Sequence, residues 1–365
     1  MARLGDICDI LDNKRVPITA SNRLAGPYPY YGANGVQDYV ADYIFDDELV
    51  LLAEDGGNFG SKDKPIAYRV SGKCWVNNHA HVLKPKEGLD VDYLCYSLMF
   101  YDVTGLVNGA TRQKLTQADM RKMEIPLPPL DEQRKIAAVL DKVSDLIAKR
   151  RQQLDKLDTL VKARFVEMFG DPINNPRGWK TDETENYIDL LSGFPFDSSQ
   201  YTEKGINICG GLIIMPQRIE WNGCKHWYSI EGYEEYSLQE NDIVIALDRP
   251  WISEGFKIAM VDAEHLPALL IQRTARIRGM GINQFYLMHC FLLGGFDKHC
   301  NITGSLVPHI SSKDIRSFTI MLPPLEVQEQ FAVFVAQVNK SKMAIQRSSE
   351  ALETLNKSLM QQYFG

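Results

Sequence analysis

The amino-acid sequence predicts an α+β fold: two mixed α/β domains at opposite ends of a long antiparallel two-helix coiled coil, related by a pseudo-two-fold internal repeat. Three observations predict it. A Pro-Pro motif occurs twice, as IPLPPLDEQRK from Ile125 and as IMLPPLEVQEQ from Ile320. Each copy precedes a long stretch with apolar residues spaced by three and four, and each follows a region of short apolar runs separated by turn residues.

The repeat is clearest in the last part of each copy, which we call its tail. Sliding the chain by 195 residues aligns 125–170 with 320–365 without a gap, and 14 of 46 positions are identical. Upstream the likeness fades but persists: LVLLAEDGG from Leu49 resembles IVIALDRPW from Ile243, and HAHVLK from His79 lies where RTARIR begins at Arg273. We therefore predict domains at 1–124 and 171–319 and long helices at 125–170 and 320–365.

Composition and net charge limit the classes of function that the chain can have. The chain has 365 residues and is 45% hydrophobic, which is enough to bury a core in two or more domains. Its 40 Lys and Arg against 47 Asp and Glu give a net charge of −7, so the overall field opposes approach to phosphate. A nucleic-acid function would therefore use local patches, inside an assembly whose other subunits add positive charge.

Compartment and redox state also follow from the sequence. No stretch approaches 18 uninterrupted apolar residues, and MARLGDICDI has acidic residues where a signal peptide needs an apolar run. We expect a cytoplasmic protein with no membrane contact. Seven cysteines without a Cys-x-x-Cys pair favour reduced, mostly buried thiols over a disulfide frame or a zinc site.

The first tail has the signals of a helix from about Leu130 to Phe169. Prolines precede it, Asp131 and Glu132 lie in its first turn, and Gly170 follows as a C-cap. The apolar seams of the two tails are Ile136, Leu140, Val143, Ile147, Leu154, Leu157, Val161 and Met168 in the first, and Phe331, Val335, Val338, Ile345, Leu352, Leu355 and Leu359 in the second. A helix of about 40 residues is about 60 Å long and needs a long partner, so we expect the two helices to pair. Two unrelated helices, each packed on its own domain, are the alternative.

The two variable regions read as strands joined by turns, with polar loops between them. The first region has DGGNFGSKDKP from Asp55, WVNNHAH from Trp75 and NGATRQKL from Asn108; the second has LDRPWISEG from Leu247 and QRTARIR from Gln272. Asn, Gln, Arg and Lys in exposed loops are the side chains that bond to base edges and phosphates. For any one residue, plain solvation is the alternative, and His79 with His81 is more often a strand pair than a metal site.

The candidate DNA-binding residues follow from these loops. They are Lys62, Lys64, Asn78, His79, Arg112, Gln113 and Lys114 in the first region, and Arg249, Trp251, Arg273, Arg276 and His309 in the second. The spacing in QRTARIR places Arg276 and Arg278 on one strand face and Arg273 on the other.

IPLPPLDEQRKIAAVLDKV, GATRQKLTQADMRKMEIPLPPL, the Phe-Gly helix ends and the tandem arrangement resemble the specificity subunit of type I restriction-modification systems. The resemblance implies two target recognition domains that each read one half of a split sequence in double-stranded DNA. It also implies that the paired helices set the gap and bind two methyltransferase subunits. The helix-start residues that match its motif are Leu130, Gln133, Leu325 and Gln328, which we expect to bind this partner. The second copy departs from the pattern at Met321 and Val327.

The same resemblance implies restriction and translocation subunits, with S-adenosylmethionine, ATP and Mg²⁺ belonging to the partners and none to this chain. Missing motifs agree: the sequence has no Asn-Pro-Pro-Tyr or Asp-Pro-Pro-Tyr run for amino methylation and no phosphate-binding Gly-x-x-x-x-Gly-Lys-Ser/Thr loop. We therefore expect a non-catalytic subunit.

The sequence leaves three alternatives open. The chain could be a coiled-coil scaffold that binds only proteins, although the clustering of polar side chains in glycine-bearing loops disfavours it. It could be an enzyme that uses Asp55, His79 or Asp248, although the two halves differ at the matching positions. It could also serve a related system that methylates without a restriction subunit, which the sequence does not distinguish.

Overall fold

The computed structural model describes residues 1–109, 113–300 and 308–365, so the predicted site residue Arg112 lies outside the described residues. The described chain forms two compact units. Unit 1 comprises Met1–Arg151 and Gln346–Gly365, and unit 2 comprises Gln152–Ile345. Each unit therefore contains one globular region and a part of each long helix.

Unit 1 is built on a six-stranded mixed sheet with the strand order β2-β7-β5-β6-β3-β4. Its elements are β1 (Ala2–Arg3), α1 (Leu4–Ile7), β2 (Cys8–Ile10), β3 (Ala25–Gly32), β4 (Gly35–Val40), β5 (Phe45–Ala53), β6 (Ala67–Val76), β7 (Ala80–Pro85), α2 (Val91–Met99), β8 (Val107–Asn108), β9 (Lys114–Leu115), α3 (Gln117–Met120), β10 (Glu124–Ile125) and the first part of α4 (Leu130–Phe169).

The central strand β5 divides the interior of unit 1. Val50 and Leu52 belong to the core that α2 and the start of α4 cover, whereas Leu49 and Leu51 face a second apolar cluster on the other side of the sheet. All four side chains are fully buried. Alternate residues of a strand point to opposite faces, so an unbroken apolar run marks a strand buried on both sides.

Unit 2 contains a four-stranded antiparallel sheet, β12-β22-β17-β20, and a three-stranded sheet, β16-β13-β21. Its elements are the second part of α4, β11 (Thr181–Glu183), β12 (Ile188–Ser192), β13 (Ile206–Cys209), β14 (Ile214–Met215), β15 (Arg218–Ile219), β16 (His226–Trp227), β17 (Ile243–Ala246), β18 (Trp251–Ile252), β19 (Gly255–Phe256), β20 (Ile258–Met260), β21 (Ala268–Leu270), β22 (Thr274–Gly279), α5 (Gln284–Leu293), α6 (Phe296–His299), α7 (Ser312–Arg316), β23 (Thr319–Met321) and the first part of α8 (Leu325–Phe364).

The central strand β17 repeats the pattern of β5. Ile243 and Ile245 pack into the core shared with α5 and the long helices, and Val244 and Ala246 pack into a second cluster on the opposite face. In both units the central strand is therefore buried on both faces, and a polar loop follows it directly.

The two long helices have 40 residues each, Leu130–Phe169 and Leu325–Phe364. The first agrees with the helix predicted from about Leu130 to Phe169, but the wider segments predicted at 125–170 and 320–365 begin with strand residues, Ile125 in β10 and Ile320 in β23. Gly170, with a φ of +85°, follows α4, and its N–H donates to the Val166 carbonyl at 2.8 Å. A left-handed glycine after the last turn is a common helix end because no Cβ opposes that backbone conformation.

Within unit 2 the helices pack side by side in opposite directions. Phe165 meets Phe331 with ring centroids 5.5 Å apart, and Lys342 Nζ donates to Asp158 Oδ1 at 2.5 Å. Advancing along α4 therefore means going back along α8, which is antiparallel pairing. Both phenylalanines are fully buried, so this contact belongs to the core of unit 2.

Within unit 1 the pairing has the same sense. Arg151 Nη2 donates to Glu353 Oε1 at 3.0 Å, while Tyr363 and Phe364 pack on the core that contains Ile136 near the other end of the α4 segment. The predicted seam is wrong at Leu355, whose side chain is 45% exposed. A buried residue nearby is Ser349, a polar side chain between Ile345 and Leu352 of the predicted seam.

Two further features concern the whole described chain. All seven cysteines are free thiols, and six are buried. Within the described ranges, no helix has the length and hydropathy that crossing a bilayer requires.

Candidate nucleic-acid interface

Three segments of unit 1 meet where β5 ends. The Glu54 N–H donates to the His79 carbonyl at 2.9 Å, and the Leu115 N–H donates to the Glu54 carbonyl at 2.7 Å. Asp55 also forms an isolated antiparallel bridge with Lys114. These backbone contacts bring together three residues that we call loop site 1, namely Asp55, His79 and Lys114.

The side chains of loop site 1 are charged and partly open to solvent. His79 Nδ1 lies 2.6 Å from Asp55 Oδ1, and Lys114 Nζ lies 2.9 Å from Glu54 Oε1. Lys114 is 51% exposed and His79 34%, whereas Glu54 is 11% exposed. Loop site 1 therefore presents an imidazole and an ammonium group above buried or half-buried carboxylates that hold them in place.

A buried charge network lies beneath loop site 1. Arg15 Nη1 donates to Glu54 Oε2 at 2.6 Å and to the Ala80 carbonyl at 2.7 Å. His81 Nδ1 lies 2.6 Å from Asp12 Oδ2, and His81 Nε2 donates to the Leu115 carbonyl at 2.9 Å. The network therefore joins the segment after β2 to the ends of β5, β7 and β9.

The carboxylates of this network are held ionised. Burial raises the pKa of Asp12, but hydrogen bonds with His81, Gln117 and the Val82 amide outweigh it and hold that pKa below its ordinary value. Burial likewise raises the pKa of Glu54, and the bonds from Arg15 and Lys114 more than offset it. The sequence did not predict this network, because its members are isolated polar and charged residues up to 105 positions apart.

Asp12, Glu54 and His81 lie close enough to hold a metal ion, with ligand atoms within 4.8 Å of one another. Their chemistry favours a charge network instead. Glu54 already bonds to two cationic side chains, and both His81 nitrogens are engaged. The positive charge that a metal would supply is therefore already present.

Unit 2 builds the same arrangement with other side chains. The Leu247 N–H donates to the Arg273 carbonyl at 2.9 Å, and the Ile310 N–H donates to the Leu247 carbonyl at 3.0 Å. Asp248 forms an isolated antiparallel bridge with His309. We call Asp248, Arg273 and His309 loop site 2, in which Arg273 Nη1 lies 3.3 Å from Asp248 Oδ2.

The equivalence of the two sites extends into the sheets. Leu52 pairs with His81 and Ala53 with Ala80 in unit 1, as Ile245 pairs with Ala275 and Ala246 with Thr274 in unit 2. This register makes Asp55 the counterpart of Asp248. The alignment of LVLLAEDGG with IVIALDRPW matched Glu54 with Asp248. The strand register shows that this alignment is shifted by one residue.

Most other predicted DNA-binding residues are exposed. Lys62 and Lys64 are exposed between β5 and β6, Asn78 is exposed before β7, and Gln113 is exposed before β9. Arg249 is exposed next to Asp248. These five residues are available to a ligand.

Two predicted residues of unit 2 are less available. Trp251 is half-buried and stacks on Phe256, with ring centroids 4.9 Å apart. Arg276 is 5% exposed on β22 and forms an ion pair with Asp189. Burial and the Arg278 charge lower the pKa of Arg276, and its position in the sheet favours a structural role. We therefore leave Arg276 out of the interface.

Gln133 lies at the start of α4 and is completely buried. Its amide accepts from the Asp90 N–H at 2.9 Å and donates to the Gly88 and Pro128 carbonyls at 3.0 and 2.8 Å. Asp90 in turn caps α2 by accepting from the Asp92 and Tyr93 amides. Gln133 therefore fastens the helix start to the cap of the domain helix.

Gln328 makes equivalent hydrogen bonds at the start of α8. It is 3% exposed, accepts from the Asn283 N–H at 2.9 Å and donates to the Pro323 carbonyl at 2.8 Å. Asn283 is the cap of α5. Of the predicted partner-binding residues, Leu325 is 47% exposed and Leu130 is half-buried, so these two can be reached from outside.

Fold and sites together define a class: a duplicated α+β protein with paired long helices and one polar loop site in each copy. The chain belongs to the type I restriction modification DNA specificity domain family, whose model matches residues 1–158 and 218–354. The matched segments include both loop sites. Membership in a family of DNA specificity domains supports a role for this chain in DNA sequence recognition.

Individual relatives agree with the family. The MjaVIII specificity subunit of Methanocaldococcus jannaschii is 24% identical over 391 residues, which cover 99% of this chain and 90% of that protein. A type I restriction enzyme specificity subunit of Haemophilus influenzae is 40% identical over 143 residues, which are 39% of this chain and 37% of the relative. The EcoAI specificity subunit of Escherichia coli is 27% identical over 259 residues, 68% of this chain and 40% of the relative. The matches to the last two thus span less than half of those proteins.

Solved structures share the fold over the whole chain. The crystal structure of the type I restriction-modification S subunit from M. genitalium has a TM-score of 0.64 at 13% identity and covers 100% of this chain and 95% of that one. A chain from a structure on complex assembly and conformational transition of the type I R-M system has a TM-score of 0.51 at 18% identity, with 100% and 96% covered. At these identities the likeness concerns the fold.

Proposed function

We propose that this chain is the sequence-recognition subunit of a type I restriction-modification complex and that each loop site reads one half of a bipartite DNA target. The observation that carries the proposal is the repeated loop site. Its backbone contacts are the same in both units, while His79 is replaced by Arg273 and Lys114 by His309. A common frame with different donor side chains suits two half-sites of different sequence.

The chemistry of the exposed side chains supports this reading. Arg and Lys bind guanine edges and phosphates, and Asn and Gln bind adenine edges. Lys62, Lys64, Asn78, Gln113 and Lys114 are exposed in unit 1. Together with His79 they make up the proposed interface of this unit, and Arg112 is retained from the sequence alone. In unit 2 we assign Arg249, Arg273, His309 and the half-buried Trp251.

The placement of the two domains belongs to the proposal. We place target recognition domains at 1–124 and 171–319, at opposite ends of the paired helices 125–170 and 320–365. In that arrangement the helix length fixes the gap between the half-sites. Adding a helical turn would then move one domain around the duplex and change the spacer that is bound best.

An acidic chain is expected to bind DNA tightly only together with partners that add positive charge. We propose that two methyltransferase subunits dock on the paired helices and add the positive charge that a chain of net charge −7 lacks. The helices offer exposed apolar side chains for this contact: Val139, Leu160, Val166, Leu325, Val333 and Leu355. Restriction and translocation subunits would complete the complex, with S-adenosylmethionine, ATP and Mg²⁺ bound by partners.

The test is size-exclusion chromatography with light scattering, with and without the methyltransferase subunit, followed by DNA-binding titrations of the same samples at several salt concentrations. We expect two methyltransferase subunits per chain and binding that weakens with salt by a slope of about −0.9 per phosphate contact. If no complex forms and no sample binds DNA in a salt-dependent way, the function is wrong and a protein-binding scaffold replaces it.

A further inference from the structure

Two arginines have an unfavourable backbone conformation at loop site 2: Arg273, which belongs to the site, and Arg249, which follows Asp248 in the chain. Among the described residues, the non-glycine positions with positive φ are Asn175, Gln217, Asn241, Arg249 and Arg273. Asparagine adopts this conformation more readily than other residues with a Cβ, whereas for arginine it costs free energy. Both arginines lie beside Asp248, with φ values of +46° and +64°. Residues held in such conformations concentrate at functional sites.

Unit 1 shows how the same turn is made without strain. The counterpart of Arg249 is Gly56, which follows Asp55 as Arg249 follows Asp248 and has a φ of +62°. Glycine adopts this conformation freely. Glycine would fit the backbone of this turn better than arginine. We therefore attribute the arginine in unit 2 to a function of its side chain.

The charge of Arg249 is left open to a ligand. Its side chain is exposed and, among the described residues, forms no ion pair with an acidic group. Burial and the neighbouring Arg249 charge together lower the pKa of Lys257. Arg249 thus places beside loop site 2 a positive charge that no acidic group in the described part of unit 2 pairs with, as expected of a surface that meets phosphate.

Arg273 is held differently. Asp248 Oδ2 lies 3.3 Å from its Nη1, and the side chain is 74% exposed. One carboxylate contact limits the swing of the guanidinium but leaves its other N–H groups to donate outward. A fork of two N–H donors matches O6 and N7 of guanine in the major groove, which is the commonest specific contact to a base.

We propose that Arg273 is the specificity-determining residue for a guanine in the half-site read by unit 2, that Asp248 positions it, and that Arg249 binds an adjacent phosphate. This inference rests on the proposed function and deepens it. His79, which occupies the equivalent place in unit 1, has a single ring instead of a fork. The half-site of unit 1 therefore lacks the same guanine contact.

The experiment selects bound sequences from a pool of random-sequence duplexes, using the full chain in complex with its methyltransferase partner. The Arg273→Lys variant keeps the charge but loses the fork, and Asp248→Asn loses the positioning carboxylate. We expect both variants to lower the preference for guanine at one position by about 5-fold to 140-fold, which corresponds to ~1–3 kcal/mol at about 1.4 kcal/mol per factor of ten. The other half-site should be selected unchanged. A guanine preference that survives in both variants would overturn the inference.

Arg249→Gly separates backbone strain from binding. Because glycine relaxes the turn, this variant should melt no lower than the wild-type protein, yet bind all duplexes more weakly and with a salt slope reduced by about 1. Lower thermal stability with unchanged binding would mean that Arg249 serves the fold, and the phosphate assignment would be wrong. Should the wild-type complex select no sequence at all, the proposed function itself fails, an outcome distinct from a motif that Arg273→Lys leaves intact.

Discussion

At the scale of single residues, the two loop sites share a backbone frame but differ in what supports it. In unit 1 Glu54 lies under the site and bonds to Arg15 and Lys114. The counterpart of Glu54 in unit 2 is Leu247, which packs against the apolar core. Loop site 1 is therefore supported by a buried charge network, whereas the corresponding position under loop site 2 is held by apolar packing.

The substitution Glu54→Gln tests this network. It leaves the largely buried Arg15 without its closest carboxylate, and breaking a buried pair typically costs about 3–5 kcal/mol of unfolding free energy. We expect unit 1 to be destabilised by this order in chemical denaturation, and Lys114 to lose its position. The exposed Glu87→Gln serves as the control and should stay within ~0.5 kcal/mol of wild type. Equal stability of the two variants would show that the network contributes little.

His289 makes unit 2 sensitive to acid. Burial lowers its pKa to about 4 from an ordinary 6.5, and the neutral ring donates from Nδ1 to the Phe285 carbonyl at 2.7 Å. Between these values the unfolded chain binds a proton that the folded chain does not. Stability therefore falls as pH drops from about 6.5 towards 4, by about 1.4 kcal/mol per unit and about 3 kcal/mol in all. Denaturation of His289→Leu across this range should show a flatter pH dependence; an unchanged slope would contradict the assignment.

At the scale of elements, the helices were the most predictable part of the molecule. The first helix runs from Leu130 to Phe169 as expected, because prolines, acidic first-turn residues and glycine are local signals. The apolar runs that begin at Leu49 and Ile243 likewise lie in strands, β5 and β17, as expected of the short apolar runs in these regions. The Arg15 and Glu54 pair was not predictable, since no local pattern links residues 39 positions apart. The burial of Arg276 was missed for the same reason, because its partner Asp189 lies on another strand.

The buried Gln133 and Gln328 are expected to contribute to the unfolding free energy, because each joins the start of a long helix to its domain. Gln133→Ala would leave the Asp90 N–H and two carbonyls without partners in a buried place, at about 1–3 kcal/mol for each unsatisfied group. We expect a loss of at least ~2 kcal/mol in unit 1 by chemical denaturation. Gln152→Ala, at an exposed position of the same helix, is the matched control and should be nearly neutral. A Gln133→Ala protein as stable as its control would mean that water replaces the amide.

At the scale of the whole molecule, duplication accounts for the likeness of the two units and divergence for their difference. The tails align at an offset of 195 residues, whereas Asp55 and Asp248 are 193 apart, so the copies have gained or lost residues within the globular regions but not in the helices. Helices of equal length with loops that differ between the two copies agree with the proposal that both copies bind the same kind of partner and read different DNA sequences. The strained Arg249 and its counterpart Gly56 show this divergence at one turn.

We propose that this one chain reads two separate DNA elements. The most direct measurement is the set of sequences that the wild-type chain, complexed with its methyltransferase partner, enriches from random-sequence duplexes. Two short fixed blocks of different sequence, separated by unspecified bases of constant number, are the predicted result. A single continuous block, or no enriched sequence in a sample that contains the intact complex, would contradict recognition by two loop sites.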